Sequence, residues 1–346
     1  MLIEQTNIKE TYMAENNKID VVISWVDGND PVWQEEKNSW KAKKTSQDKT
    51  AVAVNRYREW DNLQYVFRGI EKNMPWVNNV YLVTWGHLPK WLNTEHPNLH
   101  IINHKEYIPN EYLPTFNSSV IEIHLHRIPG IAENFLYFND DMFTIKPTKS
   151  TDFFVDGKPC DLAALSPQPM QRDVIANIET NNLGVLNTHF TVNDVKKNKK
   201  LWLDFRHFGS YAVRTLLFMK FSTIIGVFEP HLPIPCVKST MQEVWNAEFD
   251  VHDKTSKNKF REATDVSIWL TRQWQLMKGE FVPRSKDFGK LLSASNIAGL
   301  DYCINNKKCK VICINDDARV SDFETNKREV NSRLEKILPE KSKFEI

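Results

Sequence analysis

Residues 135–143, Phe-Leu-Tyr-Phe-Asn-Asp-Asp-Met-Phe, form a short aromatic and apolar run that ends in an amide and two carboxylates. The run is too short for a typical helix and reads as a buried strand. It leads straight into Asn139, Asp140 and Asp141. In an open α/β sheet, ligands gather beyond the carboxyl ends of the strands. Two adjacent carboxylates at such a point suit a hard cation such as Mg²⁺, which takes oxygen ligands and often bridges to phosphates. Taken alone the same residues also fit an Asx turn that closes the strand.

Upstream, strand and helix patterns alternate. Residues 19–26, IDVVISWV, are apolar and β-branched and run into Asp27-Gly28-Asn29-Asp30-Pro31, a strand followed by a turn-rich loop. Neither a GxGxxG fingerprint nor a GxxxxGK[ST] loop is present there. Residues 33–55 are basic and polar, which suggests a flap over a site. From Arg56 to Asn73, Leu63, Val66, Phe67 and Ile70 fall at helical spacing, and Pro75 closes the segment. Strands are expected at 80–85 and 99–102, and a helix at Ser119–Ile128, where Ser119 and Glu122 have capping-box spacing. On that helix Glu122 and His126 share a face, and Arg127 follows. Such groups can orient a phosphate or move a proton, and histidines packed in a core are the other reading.

Beyond Phe143 the pattern changes. Residues 147–169 read as loop with short strands such as 152–155, and 173–230 as largely helical, with Leu216, Leu217, Met219 and Phe221 in the core. Residues 229–233, EPHLP, hold His231 between prolines that restrict the backbone. A final apolar strand, 311–314, ends in Asn315-Asp316-Asp317 and repeats the Asn-Asp-Asp ending at 139–141. The expected architecture is α/β. Residues 1–17 form a flexible arm and 18–325 one catalytic domain: 18–145 α/β, 146–285 mainly helical, and 286–325 a return to the core. Residues 326–346 read as a charged, solvated tail.

Composition narrows the function classes. The chain has 346 residues, 41% hydrophobic and 26% charged, with a formal net charge of +1, so charge gives no reason to expect a nucleic-acid partner. Basic clusters at 41–44, 196–200 and 307–310 read as solvated faces that, with exposed aromatics, could touch anionic lipid. The longest apolar stretch, 216–228, is interrupted by Lys220 and Ser222 and reads as a core helix rather than a membrane span. The N-terminus has no signal-peptide pattern, and five cysteines without a paired CxxC fit reduced thiols in the cytoplasm.

Several blocks together resemble a known family. IDVVISWVDGNDP (19–31), the long RYREWDNLQYVFRGIEKNMPWVNNVYLVTWGHLPKWL (56–92), LPTFNSSVIEIHLHRIPGIAENFLYFNDDMF (113–143), EPHLP (229–233) with KFREATD (259–265), and VICINDD (311–317) resemble the ordered blocks of the Stealth family. That family includes bacterial capsular polysaccharide phosphotransferases and the catalytic subunit of animal N-acetylglucosamine-1-phosphotransferase. The match runs from about Lys18 to Asp317. Ile234 stands where the animal enzymes carry a second His, and Asp27 where many members have Asn.

The resemblance implies a Rossmann-like sugar-nucleotide-transferase core with a helical insertion. It also implies Mg²⁺- or Mn²⁺-dependent transfer of a hexose-1-phosphate from a UDP-sugar to a glycan or lipid-linked oligosaccharide hydroxyl, with release of UMP. Phosphoryl transfer needs charge neutralisation, positioning and a proton acceptor. On that basis Asp140 and Asp141, with Asp317, are expected to hold the metal, and Arg261 and Arg127 to clamp phosphate. His231 is expected as general base with His126 in reserve. Trp25, Asp27 and Asp30 would shape the nucleotide and sugar pocket, and Asp265 would orient Arg261 or bind a sugar hydroxyl. The expected location is the cytoplasm, with room for peripheral association with membrane-bound polysaccharide synthesis enzymes. A metal-dependent glycosyltransferase that releases UDP, or a non-catalytic sugar-nucleotide-binding module, would share many of these features.

Overall fold

The central strand β1 (Ile19–Ser24) is the frame on which the rest is hung, and its Val21, Val22 and Ile23 have no exposed surface. β2 (Val80–Thr84), β3 (Leu99–Asn103) and β4 (Asn134–Asn139) run parallel to it. This is the structure as a computed structural model, which describes residues 18–42, 58–317 and 320–346. The expected arm at 1–17 therefore lies outside the described residues. The parallel strands are apolar on both sides, as strands covered on two faces must be. The antiparallel β8 (Ile234–Val237) completes a five-stranded sheet of order β3-β2-β1-β4-β8. All four parallel strands thus end at one edge, and Ser24 of β1 sits level with Asn139 of β4.

After β4 the chain turns within two residues, Asp140 and Asp141, into β5 (Met142–Thr144). β5 pairs antiparallel with β11 (Val311–Asn315), which pairs parallel with β10 (Gly289–Ser293) to make a second sheet. The two carboxylates therefore occupy the junction of two sheets. Between these strands lie the short β6 (Phe154–Val155), β7 (Lys158–Asp161) and β9 (Val282–Pro283).

Helix α1 (Pro31–Ala42) follows β1, and α2 (Leu63–Asn73) covers one sheet face with Leu63, Val66, Phe67 and Ile70. Gly69 lets α2 approach β5, because a Cβ there would stand 2.7 Å from the Thr144 carbonyl oxygen. Asn73 Nδ2 donates to that same carbonyl at 2.7 Å, which pins β5 beneath the helix. The opposite face is covered by α3 (Ser118–Ile123) and a following 3₁₀ turn, Leu125–Arg127. The helical part between the sheets has its own core, built on Trp202, Phe208, Trp274 and Phe281, the first two with no exposed surface.

Four expectations need correction. The helix expected at 119–128 is broken at His124, and its cap is Asn117, whose side chain accepts from Ser119 N. Part of the expected flap, 33–42, is helix, with Trp33 buried against Phe116 and Phe260; the remainder, 43–55, lies outside the described residues. Of the apolar residues placed in the core, only Met219 is buried (8% exposed), while Leu216, Leu217 and Phe221 are 49%, 57% and 50% exposed. The helix that carries Leu216 and Leu217, Ser210–Phe218, turns Ala212 and Thr215 inward instead. Finally, the charged end is docked rather than solvated. Val330, Leu334 and Leu338 of the C-terminal segment recur four apart and are buried in the main core, together with Phe344. Arg68 on α2 binds Glu335 at 2.9 Å and Glu345 at 2.9 Å. Among the described residues no helix is long and apolar enough to cross a membrane.

Candidate active site

The crevice at the strand ends is built first from the loops after β1 and β2. Trp25 is buried and donates from Nε1 to Glu59 Oε2 at 3.3 Å. Asp27 and Asp30 shape the loop itself: Asp27 Oδ1 accepts from Asn29 N at 2.8 Å, and Asp30 Oδ1 caps α1 by accepting from Trp33 N at 2.8 Å. His87, from the loop after β2, ties the two loops together. Its Nε2 accepts from the Asp27 amide at 2.6 Å, its Nδ1 lies 3.7 Å from Asp30 Oδ2, and its ring packs edge-on against Trp25. Burial lowers the His87 pKa, which fits a neutral imidazole accepting from a backbone amide.

At the junction of the sheets, Asp140 keeps exposed surface although many protein atoms crowd its carboxylate. Desolvation, then the neighbouring Asp141 and Glu59 carboxylates, push its pKa up to about 8. Asp141 is raised too, by burial, and its Oδ1 is enclosed with no hydrogen-bond partner. His231 and Cys313 converge on it. One ligand atom of each of the three side chains lies within 4.8 Å of the others. Cys313 is buried opposite Met142 in the β5–β11 ladder, and burial holds its thiol protonated, hydrogen-bonded to Asp141.

His231 reaches this position through a costly backbone. Its φ is +50°, a left-handed conformation that a non-glycine residue adopts only when its surroundings enforce it. The enforcement is visible. Glu229 Oε1 accepts from the His231 amide at 3.0 Å, and Glu229 in turn is held by the buried Arg272 at 3.0 Å. Arg272 also pairs with Asp161 at 2.7 Å, so the loop is anchored in the helical core. Trp269 packs edge-on against the imidazole.

The other expected residues are distributed unequally. Arg261 is held at the start of α3 by a hydrogen bond to Ser118 Oγ, beside the Trp33–Phe116–Phe260 cluster. Among the described residues no ion pair joins it to Asp140 or Asp141. Asp265 is fully buried, and its oxygens accept from Asn117 Nδ2 (2.8 Å), Asn258 Nδ2 (2.7 Å) and the Glu262 amide (2.9 Å). It orders the turn that carries Arg261 and makes no hydrogen bond to its guanidinium. Asp317 accepts from Ser293 Oγ at 3.0 Å and is not part of the Asp141 cluster; its neighbour Asp316 is clamped by Arg58 Nε at 2.8 Å. His126 is buried against Trp245, with its pKa lowered to about 4 by burial and then by Arg127. Arg127 lies over the same indole, 4.5 Å from its centroid.

Three contributors carried too little sequence signal to be singled out. Glu59 lies in an unpatterned stretch, His87 looks like any turn residue after a strand, and Cys313 like an ordinary apolar position. The clue to Cys313 was its alternation in a strand that ends like β4. As for a metal, the donor atoms that come together are an Asp141 oxygen, a His231 nitrogen and the Cys313 sulfur, and Asp140, like Asp317, is not in that group. An enclosed, unpartnered carboxylate oxygen beside a second carboxylate with a raised pKa is a group of acids that a cation would relieve.

Two family descriptions match this chain: Stealth protein CR1, conserved region 1, over residues 17–45, and Stealth protein CR2, conserved region 2, over residues 56–161. The capsular polysaccharide phosphotransferase WcwK of Streptococcus pneumoniae is 39% identical over 95% of this chain and 100% of its own. The receptor polysaccharide phosphotransferase WefC of Streptococcus oralis is 38% identical over the same shares. Among solved structures, the galactosyltransferase LgtC in complex with donor and acceptor sugar analogs aligns over 90% of this chain and 95% of its own. Its identity is 10% and its TM-score 0.36, a distant likeness.

Proposed function

The chain belongs to the Stealth family, whose relatives here are polysaccharide phosphotransferases, and from that premise we propose that it moves a hexose-1-phosphate from a UDP-sugar to a glycan hydroxyl. The acceptor is a capsular or other cell-surface glycan, free or lipid-linked, and the leaving group is UMP. The work is done on the cytoplasmic side of the membrane. The observation that carries this reading is the approach of His231 to Asp141 within 4.8 Å at the end of β4, enforced by a left-handed backbone.

In this reading the acceptor hydroxyl attacks the sugar-bearing β-phosphorus. A new O–P bond forms, the P–O bond to the nucleoside monophosphate breaks, and the hydroxyl proton passes to His231. The anomeric C1–O bond stays intact, so donor configuration is kept without a glycosyl-enzyme intermediate. Little covalent work falls to the protein; positioning and charge carry the rate. Asp140 and Asp141 would hold Mg²⁺ or Mn²⁺, which would neutralise charge on the diphosphate. Trp25 and the loop ordered by Asp27, Asp30 and His87 line the donor side. Arg261, set by Ser118 and the Asp265 turn, offers its guanidinium fork to a phosphate.

The test is product analysis with a panel of UDP-sugars, Mg²⁺ and a capsule-type oligosaccharide. UMP, with an acceptor that has gained hexose plus phosphate, is the expected result. UDP with a plain glycoside would overturn the reading in favour of glycosyl transfer.

A further inference from the structure

The surface around the helix Ser210–Phe218 is unlike the rest of the molecule. Phe205, Val213, Leu216, Leu217 and Phe221 are 53%, 49%, 49%, 57% and 50% exposed. These five come from a stretch of only seventeen residues, and no comparable group of large exposed apolar side chains occurs elsewhere among the described residues. Val213, Leu216 and Leu217 stand at i, i+3 and i+4, so they make one face of the helix, and Lys220 follows just past its end. Lys196, Lys197, Lys199, Lys200, Arg206 and Lys220, from the same stretch of chain, are all exposed. Of these six cations, only Lys197 has an ion-pair partner, Asp194, among the described residues. Residues 192–223 hold seven Lys and Arg against two Asp, a local excess of five in a chain whose formal net charge is only +1.

We infer that this face docks on an anionic lipid surface, with the apolar side chains entering the headgroup boundary and the lysines and arginine facing acidic headgroups. An amphipathic helix with a basic rim binds a bilayer in this way, each basic side chain near the surface adding to the attraction. The charge selects the occupant. A second copy of the chain seated on the same face would bring two basic rims together across a two-fold axis, so like charges would oppose that contact. The face also lies close to the chemistry. Tyr211 of the same helix packs on Phe228, 4.7 Å between ring centroids, and Phe228 O accepts from Arg272 Nη1 at 3.0 Å, the arginine that anchors the His231 loop. Docking here would hold the His231 loop near the membrane on which a lipid-linked acceptor resides. The inference goes beyond the proposed reaction and does not depend on it.

Vesicle co-sedimentation of the full chain tests it, with phosphatidylcholine vesicles alone and with about one third phosphatidylglycerol. The expected result is binding to the anionic vesicles only, weakened by high salt because the Debye length shrinks to about 3 Å at 1 M. Leu216→Ser with Leu217→Ser should lower partitioning by roughly tenfold or more. Replacing Lys196, Lys197, Lys199 and Lys200 by Gln should lower it by roughly a hundredfold or more. Both variants alter exposed side chains, so circular dichroism and turnover on a soluble acceptor should stay unchanged. No binding to anionic vesicles, or binding that survives both sets of substitutions, would overturn the inference. So would a dimer in solution that the double Leu→Ser variant disperses.

Discussion

His231 and His126 each follow an acid in the sequence, Glu229 and Glu122, and the fold treats them in opposite ways. His231 is carried on a strained loop to the junction of two sheets, where it meets Asp141. His126 is packed under Trp245, with Arg127 spent on the same indole and burial holding the imidazole neutral. The difference lies in the charge that gathers around each ring. Around His231 an enclosed carboxylate oxygen has no partner and a second carboxylate is pushed up to about 8, a cluster that calls for a ligand. Around His126 both ring nitrogens are likewise enclosed without a partner, but what surrounds them is the aromatic surface of Trp245 and the neighbouring His252 rather than carboxylates. A histidine in a motif is catalytic only if the fold brings it to an open, charged crevice.

The hardest blow to that comparison falls on the carboxylates. Asp141→Asn keeps the shape and removes a charge, and should lower kcat by roughly 10³ or more if the pair neutralises a phosphate-bound cation. Near-normal turnover in saturating Mg²⁺ would sink the assignment. Next is His231→Gln, which should cost roughly 10²–10⁴ in kcat and flatten the acidic limb of the rate–pH profile. A loss of rate with the limb intact would mean that the imidazole only shapes the loop. His126→Ala should do the reverse. It removes a buried ring and lowers stability by about 2 kcal/mol, while turnover per folded molecule stays within about twofold. A hundredfold loss of turnover in a stably folded His126 variant would erase the distinction between the two regions.

How much of this was legible in the sequence depended on whether neighbours along the chain decide the outcome. β1, β2, β3 and β4 were readable because an apolar run bounded by turn residues leaves few alternatives. The Asp140–Asp141 pair was readable as a strand ending, and the block resemblance pointed to His231. That β5 doubles back at once to pair with β11 could not be read from three residues. Contacts between distant segments were hidden as well: Cys313 against Asp141, His87 beneath Asp27, and Arg58 on Asp316. Hydropathy reports how apolar a residue is, not what covers it. Leu216 and Leu217 were therefore expected inside, and Val330, Leu334 and Leu338, diluted by lysine and glutamate, outside.

Between the two regions runs a polar seam that should respond to pH. Glu122 on α3 is buried, lies 3.4 Å from Tyr137 Oη, and its pKa is raised to about 7, first by burial. Tyr137 Oη is also 2.8 Å from Ser24 Oγ at the end of β1. Because the folded-state pKa lies above the usual carboxylate value, the folded protein holds the extra proton between about pH 4.5 and 7 and the unfolded chain does not. Stability from this group is therefore present at the acidic end of that window and falls as pH rises through it. Glu122→Gln, which stays neutral, should leave Tm near unchanged at about pH 4.5 and raise it by a few degrees at about pH 8, roughly 3 kcal/mol. An equal shift at both ends would mean that the carboxyl titrates like an exposed one.

The smallest expected effect concerns Arg127, and it is the sharpest way to separate a phosphate clamp from a packing residue. Its guanidinium lies 4.5 Å from the Trp245 centroid, and its pKa is lowered, with burial as the first cause. A cation over an indole at a partly exposed position contributes roughly 0.5–1 kcal/mol. Arg127→Gln should therefore lower stability by less than about 1 kcal/mol and leave KM for the sugar nucleotide within about twofold. Arg261→Gln, made in parallel, should raise that KM by about tenfold or more if its fork meets the diphosphate, since charge-assisted bidentate pairs are among the stronger polar contacts. If Arg127→Gln moved KM and Arg261→Gln did not, the phosphate would lie on the Trp245 side of the sheet. The crevice at the end of β4 would then have to be given up as the donor site.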